Sequence, residues 1–248
     1  MAHTLDRRFT ITIFIVFEIC IVIFMLKNIN DSKEQQIQLS KKMIKQEAAS
    51  HFDGIMMTRR WSARHGGVFV KQHDDLQPNP YLIDNQIYSD KGERYIKINP
   101  AWMTRQISDI SNKESHYYYK ITSLKPINPD NSVDEFEKKA LLFFEQHKEV
   151  KDYYEFSQDF ETFNYIGSLR VEKSCLQCHE KQKYKIGDIR GGIRVSIPMA
   201  KYKDDFKLLE SKDLTLKTII ILLAFAVGAL FIWFINTIYK MQGVVETL

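Results

Sequence analysis

Two stretches of the chain are almost wholly apolar, and the long interval between them is not. FTITIFIVFEICIVIFML runs from Phe9 to Leu26 with Glu18 as its only charged residue, and TIIILLAFAVGALFIWFI runs from Thr218 to Ile235, with NTIY before Lys240. Each approaches the roughly 20 helical residues needed to cross a bilayer. The pattern therefore predicts membrane helices over residues 9–26 and 218–239. The first run begins with Arg7 and Arg8, as a secretory signal does. It is longer than an ordinary signal core, however, and KNINDSKE follows it with no small-x-small cleavage site, so it reads as an uncleaved anchor. Glu18, near the middle of that span, is costly in hydrocarbon as a charge and reads as a protonated carboxyl at a helix interface, while Cys20 beside it reads as a small packing residue.

The interval, residues 27–217, is long enough for one independent core. From Asp31 to about Arg64 there is no proline, and Ile37, Ile44, Ala48, Phe52 and Ile55 recur at helical spacing. This predicts a long helix leading out of the first span. HGGVFV ends it and starts a strand; ERYIKINP reads as a second strand stopped by Pro100, and AWMTRQISDISNK as a helix. YYYKITSL reads as a third strand, rich in aromatic and β-branched residues. KPINPDNS is a turn that caps the next helix through Asp130 or Ser132, and VDEFEKKALLFFEQH carries Val133, Phe136, Ala140, Phe143 and Phe144 on one side. FNYIGSLRV and GGIRVSIPM complete five strands, and AKYKDDFKLLESKDLTLK is a polar helix entering the second span. The expected class is α+β, with a single five-stranded antiparallel sheet of PAS-like or Cache-like order.

Charge and topology place this domain. With Arg7 and Arg8 inside the cell, residues 1–8 form a cytoplasmic N-terminus, 27–217 lie in the periplasm of a bacterial inner membrane, and 240–248 form a short cytoplasmic tail. A formal net charge of +4 is too small for this length to predict a nucleic-acid partner.

The candidate chemistry lies in EKSCLQCHEK, where two of the three cysteines, Cys175 and Cys178, precede His179. Four readings compete. In a c-type haem site the two thiols bond the vinyl groups and the adjacent His reaches the iron from the same turn. Zinc needs a fourth ligand and usually a second pair, yet no second C-x-x-C or H-x-x-x-H occurs. A redox dithiol has no use for the histidine, and a disulfide across two residues is strained. The adjacent His179 favours haem.

WSARHGGVFV, NPYL, INPAWMTRQIS, KITSLKPINPDNSVDEFEKKAL and SCLQCHEKQKYKIGDIRGGIRVSIPM together resemble the periplasmic c-type haem-binding PAS-like sensory domain found at the N-terminus of membrane histidine kinases and related transducers. The resemblance covers most of Trp61 to Met199. It implies one covalent haem c on Cys175 and Cys178, His179 as the proximal iron ligand, a PAS-type fold and a sensing role. His65 and Met103, in matching stretches, are candidates for the distal side, and Arg64, Arg105, Arg190 and Arg194 for pairing with haem propionates. Only MQGVVETL follows Lys240, with no linker or catalytic output domain. The expected output is therefore a cytoplasmic signalling protein acting in trans, or a longer chain of which this is part, and no enzyme activity is expected.

Three functions follow. The first is a membrane-anchored sensor of redox state or of a small gas, working as a homodimer and signalling across the membrane. The second is a tethered monohaem cytochrome that transfers electrons. The third, a peroxidase, lacks a paired catalytic group.

Overall fold

The computed structural model describes residues 6–73, 76–114, 117–173, 175–176 and 182–245. They fall into two compact units: the chain up to Lys41 together with Lys201 onward, and Lys42–Ala200.

The first unit holds the two apolar runs. Helix α1 (Arg7–Arg64) begins in it, and the last helix, α4 (Ala200–Val245), belongs to it from Lys201. Both are long and apolar enough to cross a membrane. Side by side they stack Phe14 on Phe231 with ring centroids 3.6 Å apart. Outside the apolar runs, Asp213 takes Lys33 at 3.7 Å and Lys217 at 2.9 Å.

The second unit is α+β with two antiparallel sheets. The smaller has the order β1-β3-β2, with β1 Val68–Lys71, β2 Gln86–Tyr88 and β3 Arg94–Ile98. The larger has the order β4-β7-β6-β5, with β4 Tyr118–Thr122, β5 Asp152–Phe156, β6 Thr162–Arg170 and β7 Ile189–Pro198. Between β3 and β4 lies α2 (Pro100–Glu114), and between β4 and β5 lies α3 (Glu135–Gln146). The expected single five-stranded sheet is thus corrected to two sheets of three and four strands. β3 pairs with β1 and β2, while β4 pairs only with β7, so the chain changes sheet across α2.

The two faces of the larger sheet are covered differently. In register, Ile166 lies beside Arg194 and Tyr153, on the face where α3 packs Ala140, Leu141 and Phe144 around Ile166. The opposite face carries Tyr119, Tyr165 and Gly167, and α1 crosses it with His51 against Tyr119 and Phe52 against Tyr165. Gly167 allows this crossing, because a Cβ there would stand 2.3 Å from the Phe52 ring. Ile44, Ala48 and Ile55, on the predicted stripe of α1, are buried.

The cap of α3 differs from expectation. Asp134, not Asp130 or Ser132, accepts from the Glu137 backbone N–H, and Glu137 returns the bond to the Asp134 N–H, which forms a capping box. The five predicted side chains pack in the core around Ile166, Ala140 and Phe144 buried and Val133, Phe136 and Phe143 against them, and Leu141 and Glu137 are buried beside them; the Glu137 carboxylate finds Lys120 Nζ at 2.7 Å and Thr122 Oγ1 at 3.1 Å inside.

Candidate functional site

The cysteine motif hangs from the open end of the larger sheet. β6 and β7 pair up to a bulge between Leu169 and Arg170, and two further bonds close the base of the loop, Val171 N–H to Asp188 O and Gly187 N–H to Val171 O, both 2.9 Å. Immediately beyond this neck the chain turns back: Cys175 N–H donates to Glu172 O at 2.9 Å, and Glu172 N–H to Cys175 Sγ at 3.4 Å. Cys175 is a free, half-buried thiol. Cys178 and His179 lie outside the described residues.

Arg59, near the C-terminal end of α1, lies close enough to Cys175 and Arg190 for each to influence its charge. Burial pulls its guanidinium down from the ordinary 12.5 to about 10; the Cys175 sulfur opposes that fall and the neighbouring Arg190 adds to it. Arg59 donates to Pro100 O at 3.0 Å and Thr104 Oγ1 at 2.9 Å, both neutral acceptors. Among the described residues no carboxylate pairs with it. Arg190 donates to Ser123 Oγ at 2.7 Å and lies over the Tyr184 ring.

Both arginines line a cavity of about 150 Å³ whose other walls include Tyr81, Trp102, Ile121 and Leu169. Separate segments build it: the last turns of α1, the loop at residues 79–82, the start of α2, the end of β4, the turn at residues 126–131 and the neck of the cysteine loop. Two guanidinium groups around an aromatic and aliphatic hollow have the chemistry to receive a carboxylate carried on an apolar group.

The other sequence candidates are dispersed. His65 is exposed just beyond α1, its Nδ1–H donating to Trp61 O at 2.8 Å and its ring resting on that of Trp61. Met103 packs against Leu76, Ile96 and Ile98 beneath the smaller sheet. Neither is among the residues lining the arginine cavity. Arg64 is exposed. Arg105 reaches the cavity but pairs with Asp109 and Asp130, and Arg194 turns to the α3 side, to Asp134 and Glu137.

Sequence reasoning missed Arg59. A signal existed: Ile44, Ala48 and Ile55 step along the buried stripe of α1, and one turn further the stripe position is a cation.

A comparison with solved structures finds the cyanobacterial haem protein Tll0287, whose crystal structure aligns over 65% of this chain and 94% of its own, at 19% identity and a TM-score of 0.40. No curated protein matches the sequence. The Tll0287-like family model matches residues 30–198, well over half of the 248 residues and inclusive of the C-terminal part of α1, both sheets and the cysteine loop, and the chain therefore belongs to the Tll0287-like family.

Proposed function

We propose that this chain is a membrane-anchored c-type haem protein with one covalent haem, which senses redox state or a small gas. In this reading Cys175 and Cys178 bond the haem, His179 ligates its iron from the proximal side, and Arg59 and Arg190 receive the propionates. The observation that carries the proposal is the position of Cys175 in a family-matched loop beside a half-buried arginine that no described carboxylate neutralises. A cavity of about 150 Å³ fits one edge of a porphyrin rather than the whole ring, and its two guanidinium groups fit the acidic edge. When bound, the haem supplies an iron whose oxidation state and sixth ligand can change.

The chain's own residues would carry that change outward. Arg59 sits on α1, the same uninterrupted helix that contains the first apolar run, and Met199 joins β7 to α4, which contains the second. A movement at the propionates would be felt by the first helix through Arg59. A movement of the cysteine loop would be felt by the second through β7. The remaining parts of the reading are a PAS-like or Cache-like ancestry, a periplasmic domain on a bacterial inner membrane, a homodimer, and a cytoplasmic signalling protein as partner.

Optical spectra of the full chain, produced with a haem c maturation system, test this in ferric and ferrous states with and without nitric oxide and carbon monoxide. The expected result is a covalent haem that binds a gas or changes ligand on reduction. His65→Ala and Met103→Leu then identify the distal ligand by the spectrum each alters. A low-spin haem indifferent to both gases and unchanged in ligation would refute gas sensing and favour electron transfer. No covalent haem would refute the cofactor assignment.

A further inference from the structure

Within the first unit the apolar runs of α1 and α4 leave a cleft of about 280 Å³ between them, walled by Phe14, Phe17, Met25, Leu223 and similar side chains. One polar group lines it, the carboxyl of Glu18. Gly228 of α4 makes room for that carboxyl: a Cβ there would stand 2.9 Å from Glu18 Oε2. The other oxygen, Oε1, is buried, and no donor among the described residues reaches it.

In hydrocarbon no water is at hand to satisfy an acceptor, and leaving one bare is costly. Acyl chains carry no donor, and lipid headgroups stay at the interface. The donor must therefore arrive on a molecule that dissolves in the hydrocarbon itself. The cleft adds two requirements: the molecule must be small where it enters, and it must present apolar or aromatic surface to Phe14 and Phe17 around a single hydrogen-bonding point.

We propose that this cleft binds the ring of a membrane quinol, with a ring hydroxyl donating to Glu18 Oε1 and the ring lying against Phe14 and Phe17. With any carboxyl proton on Oε2, Oε1 is an acceptor, which a quinol hydroxyl satisfies and a quinone carbonyl does not, so the cleft favours the reduced form. The site requires that the two apolar helices span a membrane and does not require the haem.

The test uses the full chain in phosphatidylcholine nanodiscs, kept anaerobic, with decylubiquinol and decylubiquinone as probes. Retained probe is extracted, quantified by chromatography and compared with empty nanodiscs. The proposal expects saturable retention of about one quinol per chain and at least tenfold weaker retention of the quinone. Glu18→Leu removes the acceptor and Gly228→Ala displaces the carboxyl, and each is expected to weaken quinol retention at least tenfold. Glu18→Gln keeps a carbonyl acceptor and is expected to retain quinol. Unchanged helicity by circular dichroism confirms that the variants are folded. No excess over empty nanodiscs, equal retention of the two forms, or equal retention by Gly228→Ala would overturn the proposal. So would a cross-linked dimer that disappears in Glu18→Leu with no quinol retained by the parent chain, since Oε1 would then belong to a second copy. A chain that fails to acquire haem yet retains quinol refutes only the haem reading.

Discussion

Arg59→Met separates the haem-free from the haem-loaded protein. Lowering the guanidinium from 12.5 to about 10 corresponds to roughly 3 kcal/mol against the cation, at about 1.4 kcal/mol per pH unit. Arg59 keeps some exposure, which reduces that cost to about 2 kcal/mol. Arginine does not give up its proton in proteins, so the shift measures the strain of holding the charge rather than a titration. Replacement by Met relieves this cost and loses the bonds to Pro100 O and Thr104 Oγ1, together about 2 kcal/mol. In a haem-free chain the two effects nearly cancel. In the haem-loaded chain the variant also loses a charge-assisted bond to a propionate, worth roughly 1.5–3 kcal/mol. Four full-length proteins in detergent complete the cycle: haem-loaded and Cys175→Ser/Cys178→Ser chains, each with and without Arg59→Met. The substitution should lower Tm by about 4–8 °C more in the haem-loaded background, in line with ~2 kcal/mol for a domain of this size. Equal penalties in both backgrounds would show that Arg59 serves the protein alone and that no propionate reaches it.

Three further outcomes probe the scaffold. Glu137→Ala strips a fully buried carboxylate from Lys120, Thr122 and the Asp134 N–H, and denaturant unfolding should show a loss of about 3 kcal/mol, against roughly half that for Glu137→Gln; a loss under ~1 kcal/mol for the alanine would refute the buried network. Gly167→Ala drives a methyl group into the Phe52 ring and should cost about 2–3 kcal/mol, with Phe52→Ala far less harmful in that background than alone; additive costs would contradict the contact. The hydrogen bond and charge of Lys217, helped by Lys33, hold the Asp213 carboxyl below its ordinary 3.8. The unfolded chain therefore takes up that proton first, so the contribution of Asp213 is fully present above about pH 4 and fades as pH falls through its lowered value. Asp213→Asn should remove this part of the acid dependence of Tm, and an unchanged acid profile would refute it.

What was legible in the sequence was local. The apolar runs, the stripe of α1 and five of the strands follow from spacing over a few residues. The division into two sheets does not, because nothing in ERYIKINP or YYYKITSL says that β3 pairs with β1 and β2 while β4 pairs with β7 across most of the domain. β2 is only three residues long, and β5, DYYEF, carries a strand signal in Tyr153, Tyr154 and Phe156 that is short and broken by Asp152 and Glu155. The cap at Asp134 was concealed by two equally suitable neighbours, Asp130 and Ser132. The apolar face of α3 was legible, but the burial of Glu137 beside it was not, since it depends on Lys120 and Thr122 in another element.

Glu137, Arg59 and Glu18 raise the same physical question, since each places a charged side chain on a surface that periodicity or composition marks as apolar. The fold answers it for Glu137 at Oε2 with two side-chain donors and a backbone N–H, and at Oε1, which no described hydrogen bond reaches, with the Arg194 charge 3.4 Å away; the consequence is structural: a capped helix fixed to a sheet. For Arg59 the fold supplies only neutral acceptors and a second arginine, and for Oε1 of Glu18 no described donor. A burial cost that the chain does not itself offset persists when something else offsets it, and the chemistry of the deficit names the missing group. Arg59 lacks an anion among the described residues, beside a thiol and at the edge of an aromatic hollow in the α+β unit. Glu18 Oε1 lacks a donor among the described residues, in a cleft between two helices long and apolar enough to cross a membrane. Filled by a propionate and a quinol hydroxyl, the two deficits would make α1 the one helix that touches both an iron centre and a reductant dissolved in the bilayer.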